Sequence, residues 1–460
     1  MPVFFVSWGS GQNVLLSYLI IPFIKIFDLT MLTVRLPMAI LGCISLIVIY
    51  FLLRKISNEK IALIGLTFFA ICPWHIMKSR WGLESNLFPD IILLFTFLLI
   101  KALEDKNSFL YYLAFVVAGI SAYAYGTAYY FLPAFLIPLL FILVKNKKIT
   151  LKKALISLLI VIIVTSPIII YVIINTFNLP QINLPIMTIP RLEVNRYKVL
   201  TSIFSSSFIK NSIDNFLKGY KILIFQYDGL PWNSIKGIGT IYLFSIVFTI
   251  LGACEAFSRK KILDVKYTYL FNIWFVVAIL LMFICEPNIN RINIIMFPII
   301  YYTILGIGLC IKKYKILLVP IVILYLIALI CFIYKYSKQD YRNYFTFTSG
   351  LGEVIEYANN ISKDDEIVFL NSSKTKDYIY VLYYTEYNTQ DFIDTVEYKD
   401  KCVEFREVNS FGKYKFKDEN EDKDITENDK IYIIKKQDVN NYNLTNCEIK
   451  NFDNYVVVTK

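Results

Sequence analysis

Long apolar runs, one after another, constrain this chain more than anything else in it. A helix needs about 20 residues to cross the ~30 Å of hydrocarbon in a bilayer. Runs close to that length occur at 32–53, 61–76, 87–103, 109–126, 128–144, 153–174, 237–256, 268–285, 291–311 and 316–334. These ten predict a polytopic α-helical membrane protein. Residues 12–27, with Pro22 and Lys25 inside them, read as an eleventh span or as a helix lying at the interface. The 460 residues are 57% hydrophobic, above the roughly 45–50% of soluble domains, and their mean hydropathy is +0.54.

Charge between the runs predicts orientation. Loops 54–60, 101–107, 145–152, 257–267 and 312–315 carry 16 Lys and Arg, whereas the alternate connections 77–86, 127 and 286–290 carry two, Lys78 and Arg80. Basic loops stay in the cytoplasm. The 72–89 stretch, the loop at about 175–236, residues 286–290 and everything after Tyr336 are therefore expected outside a multi-pass cell (plasma) membrane protein. The net charge of +11 sits in those short loops, so it is no nucleic-acid signature.

Three regions are expected: residues 1–31 as the end of an outer loop with an interfacial helix, 32–336 as the helical membrane domain, and 337–460 as a small extracytoplasmic α/β domain. In the last, Glu353–Ile361 reads as helix, Glu366–Leu370 as strand and Tyr378–Tyr387 as helix or strand. Lys430–Lys435 and Tyr455–Thr459 alternate as strands do, and the acidic run Asp418–Asp424 reads as a solvated loop. Its expected role is a lid or partner-binding module.

Several chemistries lack their residues. One histidine and no Cys/His spacing give no metal site, and there is no phosphate-binding glycine loop. Six cysteines (Cys43, Cys72, Cys254, Cys285, Cys310, Cys331) lie in or beside apolar runs and read as small core residues. Cys402 and Cys447, in the polar part, can pair or stay free.

The stretch Cys72-Pro-Trp-His-Ile-Met-Lys-Ser-Arg-Trp-Gly-Leu-Glu-Ser-Asn-Leu-Phe-Pro89 joins two apolar runs, yet it holds the lone histidine, His75, and the charges Lys78, Arg80 and Glu84. Pro73 and Pro89 bracket what reads as one helical segment, with Arg80 and Glu84 as i,i+4 neighbours. Charge at a membrane edge marks a functional site when it faces a bundle. The competing reading is an interfacial belt of Trp74 and Trp81 with Lys78 snorkelling.

Two segments resemble the GT-C glycosyltransferases, in the branch of dolichyl-phosphate-mannose-protein mannosyltransferases and lipid A aminoarabinose transferases. One is Phe4-Phe-Val-Ser-Trp-Gly-Ser-Gly-Gln-Asn-Val-Leu-Leu-Ser-Tyr-Leu, running on to Val34-Arg-Leu-Pro-Met-Ala-Ile. The other is Pro73-Trp-His-Ile-Met-Lys-Ser-Arg-Trp. Residues 1–145 carry the match, and the rest agrees by architecture. Ser10-Gly11-Gln12 stands where many relatives have His-Pro-Pro. The family also places a helix and an acidic outer loop ahead of this point, and no Asp or Glu precedes Asp28. The resemblance thus carries the expectation of an N-terminally truncated chain, which by itself transfers poorly.

The resemblance implies transfer of a sugar from a polyprenyl phosphate to a hydroxyl on an outer-face cell-envelope glycan, lipid or protein, with no nucleotide required. Such a reaction needs a carboxylate to take the acceptor's proton and cations to neutralise the departing phosphate. Glu84 and Asp228 are the candidate catalytic carboxylates, with Glu286 a third outer acid. Arg80, Arg291 and Lys78 are the candidate phosphate ligands, and Gln12 and Trp8 the candidate substrate contacts. Structural readings compete: Glu84 can pair with Arg80, Arg291 can be a snorkelling anchor, Asp228-Gly229 can be a turn, and His75 reads as a hydrogen-bonded interfacial residue. A lipid-linked sugar transporter would favour internal repeats and broken mid-membrane helices, and a non-catalytic membrane partner is the other alternative.

Overall fold

The computed structural model describes residues 1–6, 11–194, 207–338, 347–362, 365–403, 405–418 and 429–460. The chain divides into two units. One comprises residues 1–5, 12–191 and 196–337, and the other residues 6–11, 192–195 and 338–460.

The first unit is helical: α1 (Leu15–Phe27), α2 (Met31–Ile56), α3 (Glu59–Ile71), α4 (Pro73–Ser79), α5 (Glu84–Glu104), α6 (Ser108–Ile120), α7 (Ala128–Lys145), α8 (Leu151–Phe177), α9 (Phe208–Phe225), α10 (Ile246–Phe257), α11 (Thr268–Ile284), α12 (Met296–Lys313) and α13 (Leu318–Lys338). Polar residues flanking the apolar runs start several of them. Thr30, Asn58, Asn107 and Thr150 each accept a backbone N–H of the helix that follows, on α2, α3, α6 and α8.

Every expected span contains a helix, but fewer are long enough to cross. Among the described residues six helical segments are long and apolar enough: α2, α5, α7, α8, α13, and α12 with the turn before it. The bent pair α3–α4 makes a seventh. Helices α6, α10 and α11 run only 13, 12 and 17 residues. The apolar run 237–256 starts its helix late because Gly237, Gly239 and Tyr242 take φ of 82°, 86° and 64°. A right-handed helix cannot include them. Residues 12–27 supply the 13-residue α1.

The stretch 72–89 is not one helix. Pro73 drives the residue before it into extended backbone, and Cys72 has φ −66° and ψ 122°. As a result α4 leaves α3 at 58°. Ser79 ends α4, and α5 starts only at Glu84.

Backbones pack closely where glycine allows it. A Cβ on Gly252 of α10 would lie 1.7 Å from the Tyr302 carbonyl oxygen of α12, and one on Gly306 would lie 1.9 Å from the Phe248 carbonyl oxygen. Small residues drive such crossings in lipid, where apolar side chains gain nothing by leaving the solvent. Trp274 of α11 is fully buried among Phe131, Phe135, Phe271 and Phe297, and its indole N–H donates to the Ile294 carbonyl at 2.8 Å.

Short strands decorate one end of this unit: β1 (Phe4–Phe5) pairs with β2 (Gln12–Asn13), and β3 (Ile182–Asn183) with β4 (Thr188–Ile189).

In the second unit a seven-stranded sheet has the order β10-β11-β9-β5-β8-β7-β6. Its strands are β5 (Glu366–Phe369), β6 (Glu397–Tyr398), β7 (Val408–Phe411), β8 (Tyr414–Phe416), β9 (Lys430–Lys435), β10 (Glu448–Asn451) and β11 (Tyr455–Thr459). Central β5 runs parallel to both β8 and β9, and the other pairings are antiparallel. Helices α14 (Leu351–Ile361), α15 (Asp377–Tyr384) and α16 (Thr389–Thr395) complete the unit. Two cores lie on opposite faces of the sheet. Ile367, Phe369, Ile431, Ile433 and Val457 feed one, and Val368, Tyr432, Ile434, Val456 and Val458 the other. Both faces are covered, so the central strands are buried throughout. Residues 378–384, open between helix and strand, are helical. Cys402 and Cys447 are both free thiols. Of the acidic run Asp418–Asp424, residues 419–424 lie outside the described residues.

Candidate functional site

Three segments far apart in sequence meet at one end of the helical unit, and backbone chemistry explains why. Pro89, in the second turn of α5, has no N–H to give the carbonyl four residues back, Ser85. The Asn293 amide takes that carbonyl instead, at 2.8 Å, and reaches Asn86 Oδ1 at 3.5 Å. The chain around Arg291 is thereby anchored on the start of α5, where Glu84 sits. The third segment, Gln226–Tyr242, docks on both of the others. Asp228 Oδ2 accepts the Ile289 N–H at 2.9 Å, the Trp74 N–H donates to the Thr240 carbonyl at 2.8 Å, and Trp81 meets Trp232 edge to face at 6.4 Å.

The predicted residues divide on this framework. Glu84, half-buried, accepts the Asn13 N–H through Oε2 at 2.9 Å. It is not the i,i+4 partner of Arg80, because Arg80–Leu83 is non-helical. Arg80 is exposed, with its guanidinium 5.1 Å from the Tyr336 ring. Gln12 lies on β2 beside Asn13. Arg291 donates to the Glu286 carbonyl at 3.0 Å and to its carboxylate at 3.3 Å, and Lys218 holds the same carboxylate at 2.6 Å. The hydrogen bond from Lys218, with the charges of Lys218 and Arg291, keeps Glu286 below the usual carboxylate range despite some burial.

Asp228 is a turn residue here. Its two oxygens accept from Leu230 N–H at 3.0 Å, Asn233 Nδ2 at 2.6 Å and Ile289 N–H at 2.9 Å. Lys78 does not snorkel. It is buried in an ion pair with Asp90 of α5, each side chain only 2% exposed. His75 is likewise interior, with Nε2 3.1 Å from the Gly42 carbonyl. Trp8 lies outside the described residues.

Two residues join the site that sequence reasoning missed. The Asn13 side chain bonds the Tyr129 hydroxyl at 3.0 Å and the Ala122 carbonyl at 3.4 Å, so it links Glu84 to the entry of α7. The signal was present in Ser121-Ala-Tyr-Ala-Tyr-Gly-Thr-Ala-Tyr-Tyr, an aromatic and small-residue stretch between two apolar runs. Beside these groups a small open hollow lies between α9 and the start of α12. Ile222, Leu223, Ile289, Ile292, Ile295 and Met296 make most of it apolar, with Gln226 and Thr240 at its polar side. No group of metal-ligating side chains occurs among the described residues.

The arrangement is a carboxylate and two guanidinium-bearing segments at the end of a polytopic bundle, and the fold is that of the GT-C glycosyltransferases. Residues 12–171 match the family model for dolichyl-phosphate-mannose-protein mannosyltransferase. The chain is similar in fold to ArnT from Cupriavidus metallidurans bound to undecaprenyl phosphate. The TM-score is 0.54 at 8% identity, covering 98% of this chain and 90% of that one. It is also similar to the oligosaccharyltransferase of Archaeoglobus fulgidus, with a TM-score of 0.50 at 13% identity, over 83% of this chain. The match spans 55% of that archaeal protein. No curated protein sequence matches the chain.

Proposed function

We propose that this protein is a membrane glycosyltransferase that moves a hexosyl or pentosyl group from a polyprenyl phosphate to a hydroxyl of a cell-envelope acceptor. The observation that carries the reading is the docking of the Arg291 segment onto the first turn of α5. It brings the segment that carries Arg291 to the helix start that bears Glu84, just after the turn bearing Arg80. In this reading Arg80 and Arg291 neutralise the lipid phosphate as it leaves. Glu84 takes the acceptor proton, a contribution of ~10²–10⁴-fold. Gln12 borders the sugar. The reaction occurs at the outer face of the cell membrane, with the C-terminal unit on the same side.

Binding of a polyprenyl-phosphate sugar to protein in nanodiscs tests the ligand assignment. Charge-assisted phosphate contacts are worth ~1.5–3 kcal/mol, so Arg80→Ala and Arg291→Ala should each weaken binding tenfold or more, and Lys153→Ala should not. Parental affinity in both arginine variants sinks the assignment. A second reading is a partner that binds the lipid-linked sugar without transferring it. It is favoured by the engagement of both candidate carboxylates, Glu84 by the Asn13 backbone and Asp228 by three donors. Sugar transfer by the purified chain, lost in Glu84→Gln with binding intact, excludes that reading.

A further inference from the structure

Lys78 and Asp90 form an ion pair deep inside a membrane bundle, and nothing in the proposed chemistry uses it. The two residues are twelve positions apart, one near the end of α4 and the other in the second turn of α5. Between them lies the non-helical turn with Arg80 and Trp81, followed by Glu84 at the start of α5. The pair therefore closes a loop across the very segment that carries the site.

Its surroundings fix both partners. Asp90 Oδ1 also accepts from Ser45 Oγ of α2 at 3.0 Å. The Lys78 ammonium lies 4.9 Å from the Trp74 ring centre and 5.7 Å from that of Phe297. On the α2 side of α4, His75 Nε2 meets the Gly42 carbonyl at 3.1 Å. Ser79 fills the space where a Cβ on Gly42 would fall, with its Oγ 2.3 Å from that point. With 2% exposure the ammonium presents nothing to a lipid headgroup.

We infer that Lys78 and Asp90 are positioning residues: their buried pair holds the Arg80–Glu84 turn in register with the Arg291 segment. This inference rests on the reading of that turn as part of the donor site. Two well-packed apolar residues would fill the same volume with less desolvation, so packing alone does not account for an ion pair here. A charge-assisted hydrogen bond adds direction, since it is strong in only one relative placement of the two helices. Apolar contacts in lipid tolerate sliding. The turn at Arg80–Leu83 breaks the helical ladder and keeps only local backbone bonds, Trp81 N–H to the Lys78 carbonyl at 3.2 Å and Leu83 N–H to the Trp81 carbonyl at 2.8 Å, and the Lys78–Asp90 pair adds a direct side-chain link from α4 to α5.

The test uses the full chain in nanodiscs, with spin labels at Leu83→Cys and Asn290→Cys on a Cys-free background. It reads thermal midpoint, label-to-label distance distribution, and affinity for a polyprenyl-phosphate sugar. Lys78→Met and Asp90→Leu alone should lower the midpoint, each stranding one buried charge. The double variant Lys78→Met/Asp90→Leu should regain the parental midpoint, yet show a broadened distance distribution and at least tenfold weaker donor binding. The exchange Lys78→Asp/Asp90→Lys should narrow the distribution again. Ser45→Ala, which removes the hydroxyl donor to Asp90 and that hydroxyl's bond to the Leu41 carbonyl of its own helix, should broaden it slightly with the fold intact, and it decides the matter if the double variant does not fold. A double variant, or Ser45→Ala in its place, with the parental distribution overturns the inference and leaves the pair as packing. A Lys78→Met variant with parental distances but lost binding also overturns it, by making Lys78 a ligand. If the parent binds no lipid-linked sugar, the proposed function fails, while the distance distributions still decide the clamp.

Discussion

At the scale of single residues, two carboxylates at the same end of the bundle meet different partners, Asp228 its own turn and the Ile289 N–H, Glu84 the Asn13 N–H. Asp228 satisfies three donors from two segments, so Asp228→Ala strands buried N–H groups. It should lower stability by about 2–3 kcal/mol, measured as a lower thermal midpoint in detergent. Glu84→Gln keeps an acceptor for the Asn13 N–H. The midpoint should move little, and transfer, followed by product formation, should fall ~10²-fold or more. Glu286 supplies a pH dependence. Its folded pKa is depressed, so its contribution is present above the unfolded value of about 4.3 and is lost as pH falls through the folded one. The Lys218–Glu286–Arg291 contacts should therefore loosen on acidification. Glu286→Gln should flatten that part of the midpoint-versus-pH curve, and the effect should be small because the carboxylate is 54% exposed.

At the scale of elements, prolines decide more than hydropathy does. Pro73 starts α4 and turns it from α3, and Pro89 leaves the Ser85 carbonyl for Asn293 to claim. Asn293→Ala should leave a buried carbonyl unpaired and cost about 1–3 kcal/mol. It should also weaken donor binding by letting the Arg291 segment move, read as a larger loss of affinity than Asn290→Ala produces. The sequence shows both prolines plainly. It does not show that the orphaned carbonyl finds its partner some two hundred residues later, because hydrogen-bond partners across a bundle depend on which helices become neighbours. For the same reason Lys78 reads as a snorkelling lysine from its flanks. Its acid partner, Asp90, looks like one isolated charge in an apolar run until the Lys78 ammonium reaches it from α4.

At the scale of the whole molecule, the proposed orientation has a direct check. With single-cysteine variants on a Cys-free background, an impermeant thiol reagent should label Ser207→Cys and Ser373→Cys in intact cells and leave Asn146→Cys unlabelled. Labelling at position 146 from outside would remove the proposed outer-face site. Much of the architecture was legible in the sequence because its causes are local. Apolar run length predicts helices, alternation predicted β9 and β11, and the Ser-Arg and Arg-Leu-Pro motifs pointed to the GT-C fold that the comparisons bear out. Which helices are full spans was less legible, since positive-φ residues such as Gly239 and Tyr242 shorten an apolar run without changing its hydropathy. The sequence by itself determined a polytopic helical protein with an α/β appendage, because hydrophobic burial and strand periodicity are summed over neighbours in the chain. Only the tertiary structure decided that Glu84 answers to Asn13, Asp228 to Ile289 and Lys78 to Asp90. A buried charge or carbonyl is satisfied by whatever group the packing brings within 3 Å or so, and sequence separation sets no limit on which group that is.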